Sequence, residues 1–290
     1  MTGRRTLLVG MAATLAGCAF TPNRNEDGPD APRFVPLRAP VRTAWVLSAG
    51  GPRGFTHVGV LKALDTLGLV PDLIVGASVG AMVGSLRASG LRASDIETIA
   101  LEVQPLGLAR LALGQSETFS GAPIAELVRR NALVTQLEQM PLPMACVATR
   151  RADASAIAFT AGDAGLAVQA SSAIEGRFTP VRILGQQYVD PDGTMPLPVR
   201  LARSLGAVRV LAIDATAHLD TAPPEAARFR AADLRKKALV DADAIHADLL
   251  LKPDFGYWVN LSQEFRERAI DAGYRATMAQ APALRRLHRV

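Results

Sequence analysis

Along residues 41–290 the apolar positions fall into short runs, and glycine cuts each run off. Thr43-Ala44-Trp45-Val46-Leu47 has the length of a buried strand, and Ser48-Ala49-Gly50-Gly51-Pro52-Arg53-Gly54 breaks it. From about Thr56, Val60, Leu61, Leu64 and Leu67 recur on one helical face until Gly68 ends the pattern. Leu73-Ile74-Val75 reads as a second strand, Gly76-Ala77-Ser78-Val79-Gly80 as a second break, and Ala81–Leu86 as the start of another helix. Strand, glycine turn, helix, given twice, predicts an α/β fold: a three-layer α/β/α sandwich around a mostly parallel sheet.

The same grammar continues toward the C-terminus. Helical patterns cover 92–103, 123–137, 165–172, 197–205, 222–245 and 261–280, with Pro123 suited to a first helical turn. Strand-like runs cover 144–148, 157–160, 187–189, 208–214 and 247–251, while 104–120 is less regular. No repeat and no internal linker divides 41–290, so it is expected to be one domain. Before it, residues 18–40 are rich in proline and charge and lack a period, which predicts a flexible tether.

The first residues change the picture of where the chain works. Arg4 and Arg5, an apolar run from about Leu7 to Leu15 and then small residues have the order of an export signal, and the run is too short to span a bilayer. Leu15-Ala16-Gly17-Cys18 resembles the lipobox of bacterial lipoproteins. That resemblance implies removal of residues 1–17, lipidation of Cys18 and attachment to a membrane of the cell envelope. Ala19 after the cysteine is similar to the pattern that sorts to the outer membrane, facing the periplasm. The remaining cysteine, Cys146, lies in an apolar strand and is expected to pack as a small hydrophobe.

Composition adds limits. At 290 residues and 49% hydrophobic content the chain can bury a large core. The net charge of +5 falls to +3 when Arg4 and Arg5 leave with the signal, and no aromatic-interleaved basic stripe accompanies it, so nucleic acid is not an expected partner.

The chemistry centres on Ser78. Gly76-Ala77-Ser78-Val79-Gly80 follows a strand and precedes a helix, the setting of a nucleophile elbow, in which glycines remove side chains from the sharp turn. In a parallel sheet the Gly50–Gly54 turn lies on the same edge. Its Gly50 and Gly51 N–H groups, helped by Arg53, are candidates for an oxyanion hole, because Pro52 has no N–H to give. The cluster lacks the Lys-Ser/Thr ending of a nucleotide-binding loop. For the proton acceptor the residues leave several choices: His218 after Asp214 and His246 before a strand could serve a Ser-His-Asp carboxylesterase, while His57 and His288 are poorly placed. There is no H-E-x-x-H and no cysteine pair, so neither a metal nor a cofactor is expected.

Four ordered motifs carry a family resemblance: Ser48–Leu64, the Val75–Met82 elbow, Ala170–Ile174 followed by Phe178-Thr179-Pro180-Val181, and Tyr188-Val189-Asp190 leading to Pro196-Leu197-Pro198-Val199. Together they resemble the patatin-like phospholipases over most of 41–215. The resemblance implies a serine–aspartate dyad, an oxyanion hole in the glycine loop and a lipid or lysolipid acyl ester as substrate. It places the aspartate at Asp190, counted back from Pro198 without a gap, with Asp192 as the alternative. The chain departs from the family pattern at Pro191, where a glycine is usual, at Ala49, and at Glu175 near the cleft. Loss of turnover through Pro191 would leave a non-catalytic, membrane-tethered lipid-binding scaffold.

Overall fold

A computed structural model describes residues 26–112 and 117–289. The signal, Cys18 and the first residues of the expected tether therefore lie outside the described residues.

The strands are β1 (Thr43–Leu47), β2 (Leu73–Ala77), β3 (Arg110–Leu111), β4 (Phe119–Ser120), β5 (Met144–Arg150), β6 (Ser155–Phe159), β7 (Val181–Ile183), β8 (Gln186–Val189), β9 (Arg209–Ile213) and β10 (Leu249–Leu251). The helices are α1 (Phe55–Thr66), α2 (Val79–Ala88), α3 (Ala93–Glu102), α4 (Ala122–Asn131), α5 (Ala164–Ser171), α6 (Val199–Ser204), α7 (Arg230–Ala244), α8 (Gln263–Ala279) and α9 (Ala281–Leu287). The main sheet runs β10-β9-β1-β2-β5-β8-β7, with β6 on the other edge of β5, and β3 and β4 form a separate hairpin. From β10 to β5 every pairing is parallel; β6, β7 and β8 run antiparallel to their neighbours.

Strand alternation divides the core in two. Trp45, Leu47, Ile74, Met144, Cys146, Leu211 and Ile213 face one apolar cluster, and Ala44, Val46, Val75, Ala145, Val147, Val210 and Ala212 face the other. Residues of α1, α2, α4 and α5 cover the first face; Val199 and Ala202 of α6 and Val240 of α7 cover the second. Both faces are buried, which is why these strands read as continuous apolar runs.

The departures from expectation are local. The helix expected over 123–137 stops at Asn131, and Leu137 sits in a separate short 3-10 turn. The helix expected from 222 begins as a 3-10 segment, Pro224–Phe229, before α7. Beyond the expected helices the chain closes with α9, whose Leu284 is fully buried and whose flanking His288 accepts from the Trp45 indole N–H at 2.9 Å.

The tether is shorter than expected. From residue 26 the chain packs along the domain: Ala31 is buried, Arg33 bridges Ala161, the Val35 N–H donates to Thr160 Oγ1 at 2.7 Å, and the Asp163 N–H donates to the Asp30 carbonyl at 2.8 Å. Prolines and charges hid this segment from a periodicity search, because it is held by backbone hydrogen bonds and has no repeating apolar face.

Candidate active site

The register of β5 brings the site together. Its β6 edge pairs Cys146–Arg150, so its opposite edge is shared by two strands that approach from opposite directions. β2 takes Met144–Val147 and ends with Ala77 across from Val147; β8 takes Thr149 and Arg150 and ends with Val189 across from Thr149. The next residue of each, Ser78 and Asp190, therefore converges on the level of Ala148.

At the end of β2 the chain turns sharply into α2. Ser78 adopts φ 54° and ψ −121°, in a region that L-residues with side chains rarely occupy, and such strain persists only where its surroundings enforce it. Close backbone approach explains the two flanking glycines. A Cβ on Gly76 would lie 2.5 Å from the Gly80 carbonyl oxygen, and one on Gly80 would lie 2.3 Å from that of Leu47. Ser171, from the end of α5, buttresses the turn: the Ser78 N–H donates to Ser171 Oγ at 2.8 Å, and Ser171 Oγ donates to the Val147 carbonyl at 2.5 Å. Sequence reasoning quoted Ser171 within a motif but gave it no task.

The Ser78 hydroxyl donates to Asp190 Oδ2 at 2.6 Å. Asp190 is only 6% exposed and caps a short 3-10 turn, Pro191–Gly193, by accepting the Asp192 N–H on Oδ1 at 2.8 Å. Pro191 occupies the first position of that turn, where no N–H is needed, so the proline in place of a glycine fits the turn without loss. The Asp190 N–H is held by the Ala173 carbonyl at 2.9 Å. Burial pushes the Asp190 carboxyl up to about 7, with the Asp192 charge adding to the rise, while the hydrogen bonds from Ser78 and Asp192 and the charge of Lys236 pull the other way. Asp192 itself points to Lys236 at 2.6 Å; the structure brings Asp190, not Asp192, to the serine.

The histidines stand elsewhere. His57 is fully buried with Nε2 2.9 Å from the Ser48 carbonyl, and burial lowers it to about 4. His218 Nε2 lies 3.1 Å from the Pro253 carbonyl, His246 is exposed, and His288 is paired with Trp45. Among the described residues, no histidine hydrogen-bonds Ser78 or a carboxylate.

On the other side of Ser78 the Gly50–Gly54 turn presents backbone amides. Gly51 has φ +56°, with open space where a Cβ would stand. Among the described residues no acceptor takes the Gly50 or Gly51 N–H. Arg53 is partly engaged: its amide donates to the Gly50 carbonyl at 3.2 Å and its Nη2 to the Tyr257 carbonyl at 2.7 Å, while its Nε is buried without a partner among the described residues. The two glycine amides are therefore the loop's uncommitted backbone donors.

Ser78 is 7% exposed, and a cavity of about 290 Å³ opens on Asp190, walled also by Thr149, Arg151, Ile174, Glu175 and Thr194. Glu175 pairs with Arg151 at 3.5 Å on this wall, the place near the cleft that the sequence gave it. Larger cavities of about 830 and 510 Å³ lie along the outer helices and share no residue with this turn. No group of residues among those described could hold a metal ion, and no described helix is long and apolar enough to cross a membrane.

Comparison with known proteins agrees with the motifs. A family model described as patatin-like phospholipase matches residues 45–202, more than half of the chain. An uncharacterized NTE family protein of Mycobacterium tuberculosis is 30% identical over 175 residues, covering 59% of this chain and 48% of its own length. Human patatin-like phospholipase domain-containing protein 6 is 32% identical over 181 residues, covering 59% of this chain and 13% of its own. The chain thus spans about half the length of the mycobacterial relative and a small part of the human one. Among solved structures, VipD from Legionella pneumophila superposes with a TM-score of 0.49 at 16% identity, covering 88% of this chain and 70% of its own.

Proposed function

The chain belongs to the patatin-like phospholipase family, and we propose that it is a serine acyl hydrolase that cleaves carboxylic esters of lipids or lysolipids. The observation that carries this reading is the 2.6 Å hydrogen bond from the Ser78 hydroxyl, on its strained turn, to a buried Asp190 whose basicity burial has raised.

In this mechanism Ser78 attacks the acyl carbonyl while Asp190 accepts the hydroxyl proton. The oxyanion that forms meets the Gly50 and Gly51 N–H groups, which no acceptor among the described residues claims. The positive end of α2 begins at Ser78 and adds to the same stabilisation. Asp190 then returns the proton to the departing alcohol, and a water deprotonated by Asp190 releases the acyl group from Ser78. No step calls for a metal or a cofactor.

A fluorophosphonate probe, which reacts with activated serines, should label the peptide containing Ser78, read by mass spectrometry. Ser78→Ala should abolish both labelling and hydrolysis of a soluble chromogenic acyl ester, with circular dichroism unchanged. Full ester turnover by Ser78→Ala would end the assignment.

For location, the lipobox-like Leu15–Cys18 string supports an envelope lipoprotein anchored through Cys18, on the periplasmic face of the outer membrane. Under that reading Cys18→Ser moves the protein from the membrane fraction to the soluble one; unchanged fractionation with no lipid mass on Cys18 would reject it.

A further inference from the structure

The loops after β9 and β10 leave the sheet on the same edge as Ser78 and carry a surface that hydrolysis does not use. Three contacts tie them to the site. Arg53 Nη2 donates to the Tyr257 carbonyl, the Tyr257 hydroxyl donates to Asp233 of α7 at 2.6 Å, and Lys236 of α7 pairs with Asp192 beside the catalytic turn.

Outward from these contacts stand large apolar side chains in water. Phe229 is 40% exposed and Trp258 49%, and the two rings meet edge to face with centroids 6.2 Å apart. Leu234, on the first turns of α7, is exposed as well. Isolated exposed hydrophobes are ordinary, but adjoining aromatic rings on the rim of a site mark a contact surface.

Charge says what kind of contact. Arg228 lies over the Phe229 ring at 4.7 Å. Arg230 and Arg235 are exposed and, among the described residues, have no carboxylate partner, whereas Lys236 and Lys237 are already paired with Asp192 and Asp241. Against these arginines the neighbouring chain offers the carboxylates of Asp220, Glu225, Asp233 and Asp254, of which Asp233 is engaged by the Tyr257 hydroxyl and Asp254 by the Gly256 N–H. Tryptophan and phenylalanine flanked by unpaired arginines are the side chains that settle at a bilayer's headgroup level: rings enter the acyl boundary, and guanidinium groups meet lipid phosphates.

We propose that Phe229, Leu234 and Trp258, with Arg228, Arg230 and Arg235, form a docking surface for an anionic lipid bilayer that holds the Ser78 edge of the sheet against its substrate. The inference rests on the lipid-ester reading for its purpose but is tested apart from it.

The test uses the full-length chain with Ser78→Ala, so that vesicles are not consumed, and Cys18→Ser, so that no acyl anchor holds it on the vesicle. The chain has two tryptophans, and Trp45 is fully buried, so a change of emission on adding vesicles reports Trp258. With phosphatidylglycerol vesicles carrying brominated acyl chains, Trp258 should shift to the blue and be quenched; phosphatidylcholine vesicles should do this far less. Phe229→Ser with Leu234→Ser should weaken vesicle binding roughly ten-fold or more. Each arginine changed to glutamine should lower the preference for the anionic lipid roughly five-fold. In the Ser78-containing protein these surface variants should keep their rate on a soluble ester.

Equal quenching on both lipids would overturn the anionic preference. Vesicle binding with Trp258 unquenched, or a blue shift that follows protein concentration without vesicles, would overturn the surface itself. Quenching in a protein that cleaves no soluble ester would leave the surface standing and reject the hydrolase; ester cleavage without quenching would do the reverse.

Discussion

The two flanks of Ser78 are built on opposite plans. On the acid side three polar atoms of Asp190 are held: one carboxylate oxygen by Ser78, the other by the Asp192 N–H, and the backbone N–H by Ala173. On the amide side Gly50 and Gly51 keep their N–H groups unclaimed among the described residues. A proton acceptor works only if its geometry is fixed before the substrate arrives, whereas an oxyanion hole works only if its donors are vacant until then. The contrast implies that changes on the acid side act on basicity and position, and changes on the amide side on stabilisation of the transition state.

The largest break in that comparison is Asp190→Asn. It should lower kcat roughly 10³-fold to 10⁴-fold on a soluble ester. In the unmodified enzyme kcat/KM should rise about ten-fold per pH unit below about 7 and level above it, because only the ionised carboxylate accepts the proton. A flat profile through that range would remove Asp190 as the base. The same substitution should raise stability. Between the ordinary carboxylate value of 3.8 and about 7, the folded protein holds a proton that the unfolded chain has released, so stability falls as pH rises through that interval. The asparagine removes this dependence, and at pH 8 Tm should increase by on the order of a few degrees.

Gly51→Ala tests the amide side. No atom blocks a Cβ there, but φ +56° disfavours one, so the loop must shift its amide. We expect kcat to fall roughly 10-fold to 100-fold with KM changed little, since a misplaced donor is felt mainly in the transition state. A rise in KM alone would mean that the loop binds substrate and does not stabilise the oxyanion. Ser171→Ala, which frees the Ser78 amide and leaves the Val147 carbonyl unpaired, should cost roughly ten-fold in kcat with the pH profile unmoved. A shifted profile would place Ser171 in contact with the Asp190 proton. Asp192→Asn should be the smallest, about three-fold or less, because that side chain faces Lys236 and touches Asp190 only through its backbone N–H, its charge being a minor part of the rise that burial causes.

Much of the fold was legible where a run of apolar residues reached strand or helix length. β1, β2, β5 and β9 and helices α1 to α3 begin and end within a few residues of the expected positions because glycines and charges bound them sharply. β7, at three residues, and the β3–β4 hairpin are too short to show a period. The packed course of 26–36 is written in backbone contacts, which side-chain patterns do not record. In the site, Ser78 stood out because glycines must flank a turn so tight, and Asp190 through its distance from Pro198. Ser171 left no mark, since a serine in an apolar helix looks the same whether it braces a neighbour or bonds its own helix. Arg53 shows the converse: a cation beside a glycine loop suggests an anion site, and only the fold reveals that the Tyr257 carbonyl engages its Nη2 and leaves its Nε unpartnered among the described residues.

One strand serves as the common ruler for both halves of the proposed Ser78–Asp190 pair. Because Ser78 and Asp190 are each positioned by the same edge of β5, the intervening chain from Arg151 to Phe178 has little part in setting their separation, apart from the Ser171 brace and the Ala173 carbonyl. Loops in that interval and the β3–β4 excursion can lengthen, shorten or change sequence while the reacting atoms stay in register. In such an arrangement the walls of the cleft can change while β5 keeps Ser78 and Asp190 at the same spacing.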